Sequence, residues 1–209
     1  LIEVKCLIVG DLSTNCYIVV SKGESLVIDP GGEGERILKK IASMNVEVRL
    51  VLNTHAHFDH IRANALLIKG LKVPVALHQI EADYIKEPPI STWVFQTSGV
   101  EPFEPDMVLK GGEKLSFGDT EASVLATPGH SPGSLSFLIE NSLFCGDLLF
   151  KGSVGRTDLP GGSINQLMES LRLIAQLPSD LIIYPGHGPS TTLKEELEDN
   201  PYLRQALTV

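Results

Sequence analysis

Residues 54–60 read Thr-His-Ala-His-Phe-Asp-His, so three of the chain's six histidines and a carboxylate crowd into six consecutive positions. They come directly after the apolar run Leu50-Val51-Leu52. Imidazole and carboxylate gathered in H-x-H-x-D-H spacing point to a divalent metal, with zinc, iron and manganese all suited to such donors. If a strand continues through His55 and His57, their side chains share one face, because strand side chains alternate. Asp59 and His60 then lie past the strand end and face a second position beside the first. One short loop is expected to supply parts of two adjacent metal sites.

Two metals need more ligands than this loop holds. His130 sits in Thr127-Pro128-Gly129-His130-Ser131 and His187 in Tyr184-Pro185-Gly186-His187-Gly188, each just after an apolar, strand-like run. Glycine beside a histidine lets the backbone approach closely, which suits a ligand loop. Asp147 follows Leu143-Phe144-Cys145-Gly146 in the same manner, and Asp29 closes Ser25–Asp29 before Pro30-Gly31-Gly32. His78 belongs to no such pattern and is expected to be structural.

The elements that must position these residues follow from periodicity. Strands are expected over 2–8, 16–20 and 25–29, with a turn at Lys22-Gly23-Glu24. Ile37, Leu38, Ile41 and Met44 mark one helix face, and Arg49 to Asn53 a short buried strand. A helix over 61–71, a strand over 73–77 and a helix over 79–86 come next. Residues 87–106 break the pattern, with four prolines among polar residues and Trp93, Phe95 and Phe103, and form a candidate lid. Further strands cover roughly 107–146. Ser163 and Gln166 form a capping box for a helix ending near Pro178, and Thr192 with Glu195 caps a final helix after a strand over 181–184. Strands followed by alternating units, twice over, predict one domain across 1–209. Its two similar αβ halves should pack sheet on sheet with helices outside.

At 209 residues and 43% apolar content the chain can bury a sizeable core, and no run approaches the length of a membrane span. A net charge of −9 without any Lys/Arg cluster argues against a nucleic-acid partner. The first residues look like a strand and not a signal peptide, so the cytoplasm is the expected location. Cys6, Cys16 and Cys145 are too few and scattered for a disulfide framework. All three are expected to be small buried hydrophobes, with Cys145 redox-sensitive if the site beside it is open.

Taken in order, Asp29, the H-x-H-x-D-H run, His130, Asp147 and His187 closely resemble the five motifs of the metallo-β-lactamase-fold hydrolases, across nearly the whole chain. The resemblance implies an α/β fold, an αββα sandwich with the site at one sheet edge. It implies one metal on His55, His57 and His130, a second on Asp59, His60 and His187, and Asp147 bridging them. Asp29 would orient a ligand loop. Two divalent ions per chain are thus expected, zinc first, with iron or manganese as alternatives. Against Asp59, Asp147 and a bridging hydroxide, two such ions leave a core charge of about +1, suited to a developing oxyanion. The expected reaction is hydrolysis, with a metal-bridging hydroxide attacking a polarised carbonyl and Asp59 orienting it.

Within the family, Gly146-Asp147-Leu148-Leu149-Phe150 and Gly155-Arg156 are similar to the glyoxalase II (hydroxyacylglutathione hydrolase) thioesterases. The implied substrate is S-acyl-glutathione or a related small thioester. Only twenty-two residues follow His187, so that family's C-terminal helical domain is not expected. Arg156 matches a basic substrate-binding position. Two positions further on, Asp158 replaces a tyrosine of the family and would repel a glutathione carboxylate. Arg62 stands where the family more often has glycine, as a substrate contact or a surface charge. A mononuclear-iron persulfide dioxygenase and a lactonase are the alternatives of the same fold. True β-lactamase activity is disfavoured, because many such enzymes carry Cys or Ser at the position of Asp147. A non-catalytic metal-binding scaffold would be expected to lose a ligand, and none is lost.

Overall fold

Strands that are apolar on both faces must be covered on both faces, and the early strands show this directly. In the computed structural model, which describes residues 1–86 and 99–208, β2 (Thr14–Ser21) is buried at every position. Cys16, Ile18 and Val20 point to one core cluster, whereas Tyr17 and Val19 point to another. The same alternation splits β10 (Ser142–Gly146): Leu143 and Cys145 face a third cluster, and Phe144 faces the second.

The first sheet has the order β1-β2-β3-β4-β5-β6. Besides β2 it comprises β1 (Glu3–Val9), β3 (Glu24–Ile28), β4 (Glu47–Leu52), β5 (Val75–His78) and β6 (Met107–Leu109). β1 to β3 pair antiparallel, and β3 to β6 pair parallel. Parallel pairing requires crossovers. They run through α1 (Gly34–Met44), α2 (Phe58–Ile61) with α3 (Asn64–Leu71), and α4 (Gln79–Lys86).

The second sheet comprises β7 (Lys114–Phe117), β8 (Thr120–Ala126), β9 (Leu135–Ile139), β10, β13 (Ile182–Pro185) and β14 (Thr191–Thr192). Its order is β14-β13-β10-β9-β8-β7. A two-stranded ribbon, β11 (Leu149–Phe150) and β12 (Ser153–Val154), follows β10. Then come α5 (Ile164–Ile174), α6 (Leu193–Asp199) and α7 (Pro201–Leu207). Leu26, Ile28, Leu50 and Leu52 of sheet one meet Phe117, Val124, Leu135 and Phe137 of sheet two between the layers. Ile37, Ile41 and Leu67 cover the outside of sheet one, and Leu167, Leu171 and Leu203 the outside of sheet two. The expected αββα sandwich is the observed one.

Several local expectations are corrected. The helix over 61–71 is broken in two: Asn53 Nδ2 donates to the His60 carbonyl at 3.0 Å and stops α2 early. Asn64 Nδ2 then donates to Asn53 Oδ1 at 2.7 Å and starts α3 in a buried position. The expected final helix also divides, because Asn200 Oδ1 accepts from the amides of Tyr202 and Leu203 and Pro201 begins α7. The helix after Ser163 is capped as expected but ends at Ile174, not near Pro178. Cys16 and Cys145 are buried, but Cys6 is exposed, because β1 is an edge strand whose alternate residues face outward. Burial pushes the Cys145 thiol up to about 12, which removes the thiolate on which redox sensitivity depends.

Most of the candidate lid, including Trp93 and Phe95, lies outside the described residues. Val100 and Phe103, at its far end, pack against the sheet-one core. No helix among the described residues is long and apolar enough to cross a membrane.

Candidate metal centre

Five strand ends deliver chemistry to one edge of the sandwich. Asp29 follows β3, the 53–60 segment follows β4, and His130 follows β8. Asp147 follows β10 and His187 follows β13. In two groups, His55 with His57 and His130, and Asp59 with His60 and His187, the ligand-type atoms all lie within 4.8 Å of one another. Asp147 joins His55 and His60 in a third such group. Its Oδ1 is 3.5 Å from His60 Nε2, and its Oδ2 is 3.5 Å from His130 Nε2 and 3.7 Å from His187 Nε2. One carboxylate thus reaches both histidine sets. Glycine at 186 is required for this approach, since a Cβ there would collide with Asp147 Oδ1.

The route to this convergence differs from the expected one. β4 ends at Leu52, and His55 and His57 lie in a loop, not on a continuing strand. The loop is held by Asp29, whose Oδ1 accepts the Thr54 amide at 2.8 Å and whose Oδ2 accepts Thr54 Oγ1 at 2.6 Å. Oδ2 also lies 2.9 Å from His60 Nδ1. Asp29 itself has a left-handed backbone, φ 51°, a conformation that Asp tolerates better than most residues.

Tautomers follow from these bonds. Because Thr54 gives its hydroxyl proton to Asp29, it must accept from His55 Nδ1, 3.0 Å away. His55 therefore turns an unprotonated Nε2 into the cluster. His130 Nδ1 donates to the Arg156 carbonyl at 2.8 Å and His187 Nδ1 to that of Leu12 at 3.1 Å. His55 is thus fixed at one nitrogen and offers the other, the arrangement expected of metal-ligating histidines. Within the cluster, His130 Nε2 meets His57 Nδ1 at 2.8 Å and His187 Nε2 meets Asp59 Oδ2 at 3.2 Å. His55 Nε2, His60 Nε2 and Asp147 Oδ1 are buried without a hydrogen-bond partner. Leaving such atoms unpaired costs about 1–3 kcal/mol each, and a cation among them would remove that cost. The donor set fits two divalent ions.

Electrostatics agree. Burial, reinforced by the neighbouring imidazoles, holds His55 well below its usual range and His57 at about 3, so both are neutral at pH 7. Burial alone would lower His60, but the charges of Asp29, Asp147 and Asp59 raise it to about 10. Burial alone would raise Asp59, but the His187 hydrogen bond and the His60 and His187 charges keep it ionised. Metal-free protein therefore carries a proton on His60 where a cation would sit. An unfolded histidine loses that proton near pH 6.5. The resulting stabilisation is complete below that pH and is lost as pH rises toward 10. Metal affinity should climb over the same window. Zinc titration at pH 8 is expected to release about one proton or more per chain, read by calorimetry in two buffers of different ionisation enthalpy. Zinc binding without proton release would show His60 to be neutral already.

The remaining candidates fall outside the three ligand groups. Arg62 lies over the Phe58 ring, 5.0 Å from its centroid, and 3.3 Å from Asp11. Arg156 makes two 2.7 Å bonds to the Asp158 carboxylate, so the pair is mutually neutralised. His78 accepts the Ile80 amide at the start of α4, a structural role. Sequence reasoning missed Thr14, whose Oγ1 donates to Asp59 Oδ2 at 3.1 Å, and Asn15, whose amide grips the Pro185 and Gly188 carbonyls around His187. It also missed Glu81. A polar Thr-Asn pair opening an apolar strand was the available signal for the first two.

Comparison with known proteins agrees with this geometry. The family model described as the metallo-beta-lactamase superfamily matches residues 9–187. A probable metallo-hydrolase, YqgX of Bacillus subtilis, is 35% identical over 93% of this chain and 94% of its own length. The hydroxyacylglutathione hydrolase GloC of Haemophilus influenzae is 33% identical over 90% of this chain and 92% of its own. Among solved structures, the BLEG-1 B3 metallo-beta-lactamase superposes with a TM-score of 0.90 at 36% identity, covering 96% of this chain and 99% of that one.

Proposed function

Since the chain belongs to the metallo-beta-lactamase superfamily of hydrolases, we propose that it is a dinuclear, metal-dependent thioesterase. The substrates would be small thioesters, S-acyl-glutathione or a related acyl-thiol. The observation that carries this reading is the pair of His/Asp groups joined by Asp147, with every ligand position filled. The similarity to GloC supports thioesters as the substrate class.

His55, His57 and His130 would hold one ion and Asp59, His60 and His187 the other, with Asp147 shared; zinc is the metal we expect. Such ions supply a water that ionises near neutral pH and a Lewis acid for the carbonyl oxygen. The protein's own part is orientation. Asp59, ionised and steadied by Thr14, would accept a hydrogen bond from the attacking water. Beside His57 lies a cleft of about 570 Å³, lined in part by Ile61, Tyr84, Ile85, Phe103, Pro132 and Pro160. Its apolar walls suit the carbon skeleton of an acyl or thiol group. The Arg156–Asp158 pair stands near this end, since the Arg156 carbonyl accepts from His130 Nδ1 at 2.8 Å. With its guanidinium already matched by a carboxylate, Arg156 offers little to an anionic glutathione tail, which favours thioesters of less charged thiols.

The test is elemental analysis of protein purified without chelators, paired with hydrolysis assays on S-lactoylglutathione and on a neutral thioester. About two metal ions per chain with thioester turnover is the expected result. One iron per chain, with oxygen uptake on glutathione persulfide and no thioester turnover, would overturn it. The likeness to BLEG-1 favours a second reading, β-lactam hydrolysis. Ring opening of a β-lactam without thioester turnover would select that reading.

A further inference from the structure

Glu81 lies on α4 and is 2% exposed. Its carboxylate takes three hydrogen bonds from two separate loops. Oε2 accepts the Ala56 amide at 2.9 Å. Oε1 accepts Ser131 Oγ at 2.7 Å and the Gly133 amide at 2.8 Å. Ala56 stands between His55 and His57, and Ser131 directly follows His130. Only glycine fits at 133, where a Cβ would lie 2.6 Å from Glu81 Cγ. All three partners are donors, so the position calls for a group that only accepts. An amide would turn its NH₂ against one loop or the other.

We propose that Glu81 is a positioning residue that clasps the His55–His57 loop to the His130 loop and so sets metal affinity at that subsite. The Asp59/His60/His187 subsite has separate anchors: Asp29 on His60, the Leu12 carbonyl on His187, and Thr14 on Asp59. Loss of the Glu81 clasp should therefore act on one subsite and spare the other. This inference rests on the two-subsite reading above.

The test uses two backgrounds of the full chain. His187→Ala leaves the His55/His57/His130 subsite intact, and His57→Ala leaves the other. Zinc dissociation constants are measured by competition with a chromophoric chelator, with and without Glu81→Gln, and thermal unfolding confirms that each variant folds. Glu81→Gln is expected to weaken zinc about 10–100-fold in the His187→Ala background and under about threefold in the His57→Ala background. If Glu81→Gln does not fold, Ser131→Ala, which removes a single donor, should show the same asymmetry at about 3–10-fold. Equal weakening in both backgrounds, or none in either, would overturn the proposal and leave the dinuclear reading standing. Zinc bound in neither background would overturn that reading and this one with it.

Discussion

Asp59→Asn should cut kcat/KM for the thioester substrate by about 10²–10⁴-fold, the range associated with loss of a positioned acid–base group. The substitution is nearly isosteric and keeps an oxygen for Thr14 Oγ1. It removes the negative charge that faces His187 Nε2 at 3.2 Å and His60 Nε2 at 3.5 Å. Asp59 is held ionised throughout the working pH range, so the variant differs from the parent at every assay pH. Metal content must be measured on the same samples. A variant that retains both metals but not turnover places Asp59 on the attacking water, and one that loses a metal places it among the ligands. Unchanged turnover would remove Asp59 from the mechanism. If the protein were instead a binding scaffold, capture of its partner would survive the substitution.

Asp29→Ala is expected to destabilise the metal-free fold by about 3–5 kcal/mol and to weaken zinc about 10–100-fold. The alanine strands the Thr54 amide, the Thr54 hydroxyl and His60 Nδ1, all buried. It also removes the charge that, after the opposing effect of burial, contributes most to holding the His60 proton. Urea unfolding at pH 7 reads the first effect, and chelator competition the second. Part of the loss would come from placing alanine at φ 51°, so Asp29→Asn is the control. Asparagine tolerates that backbone and keeps one acceptor, so its loss should be clearly smaller. An alanine variant as stable as the parent would show that the 53–60 loop is held by something other than Asp29.

The sandwich was largely legible from the residues because its signals are short-range. Cys16-Tyr17-Ile18-Val19-Val20 is apolar throughout, and only a strand covered on both faces can bury such a run. Ile37, Leu38 and Ile41 fix a helix face by spacing alone. Some expectations failed because the deciding bond came from outside the element itself. The 61–71 helix broke because Asn53, a residue of the preceding segment, captured the His60 carbonyl.

The same division runs through the site. Its ligand types, and their place just after strands, could be read from H-x-H-x-D-H, the two Pro-Gly-His turns and Asp147, because each motif is local. Which nitrogen of each histidine faces the cluster could not, for it depends on Thr54, the Leu12 and Arg156 carbonyls, and Asp29. Nor could the Glu81 clasp, whose partners lie 25 to 52 residues away. The near pair Arg156–Asp158 was legible as two residues, but not as a closed ion pair. Sequence by itself determined which chemistry the chain can present and on which strand ends. Tertiary structure decided orientation and protonation, because a ring or carboxylate is aimed by whatever buried donor or acceptor packs against it.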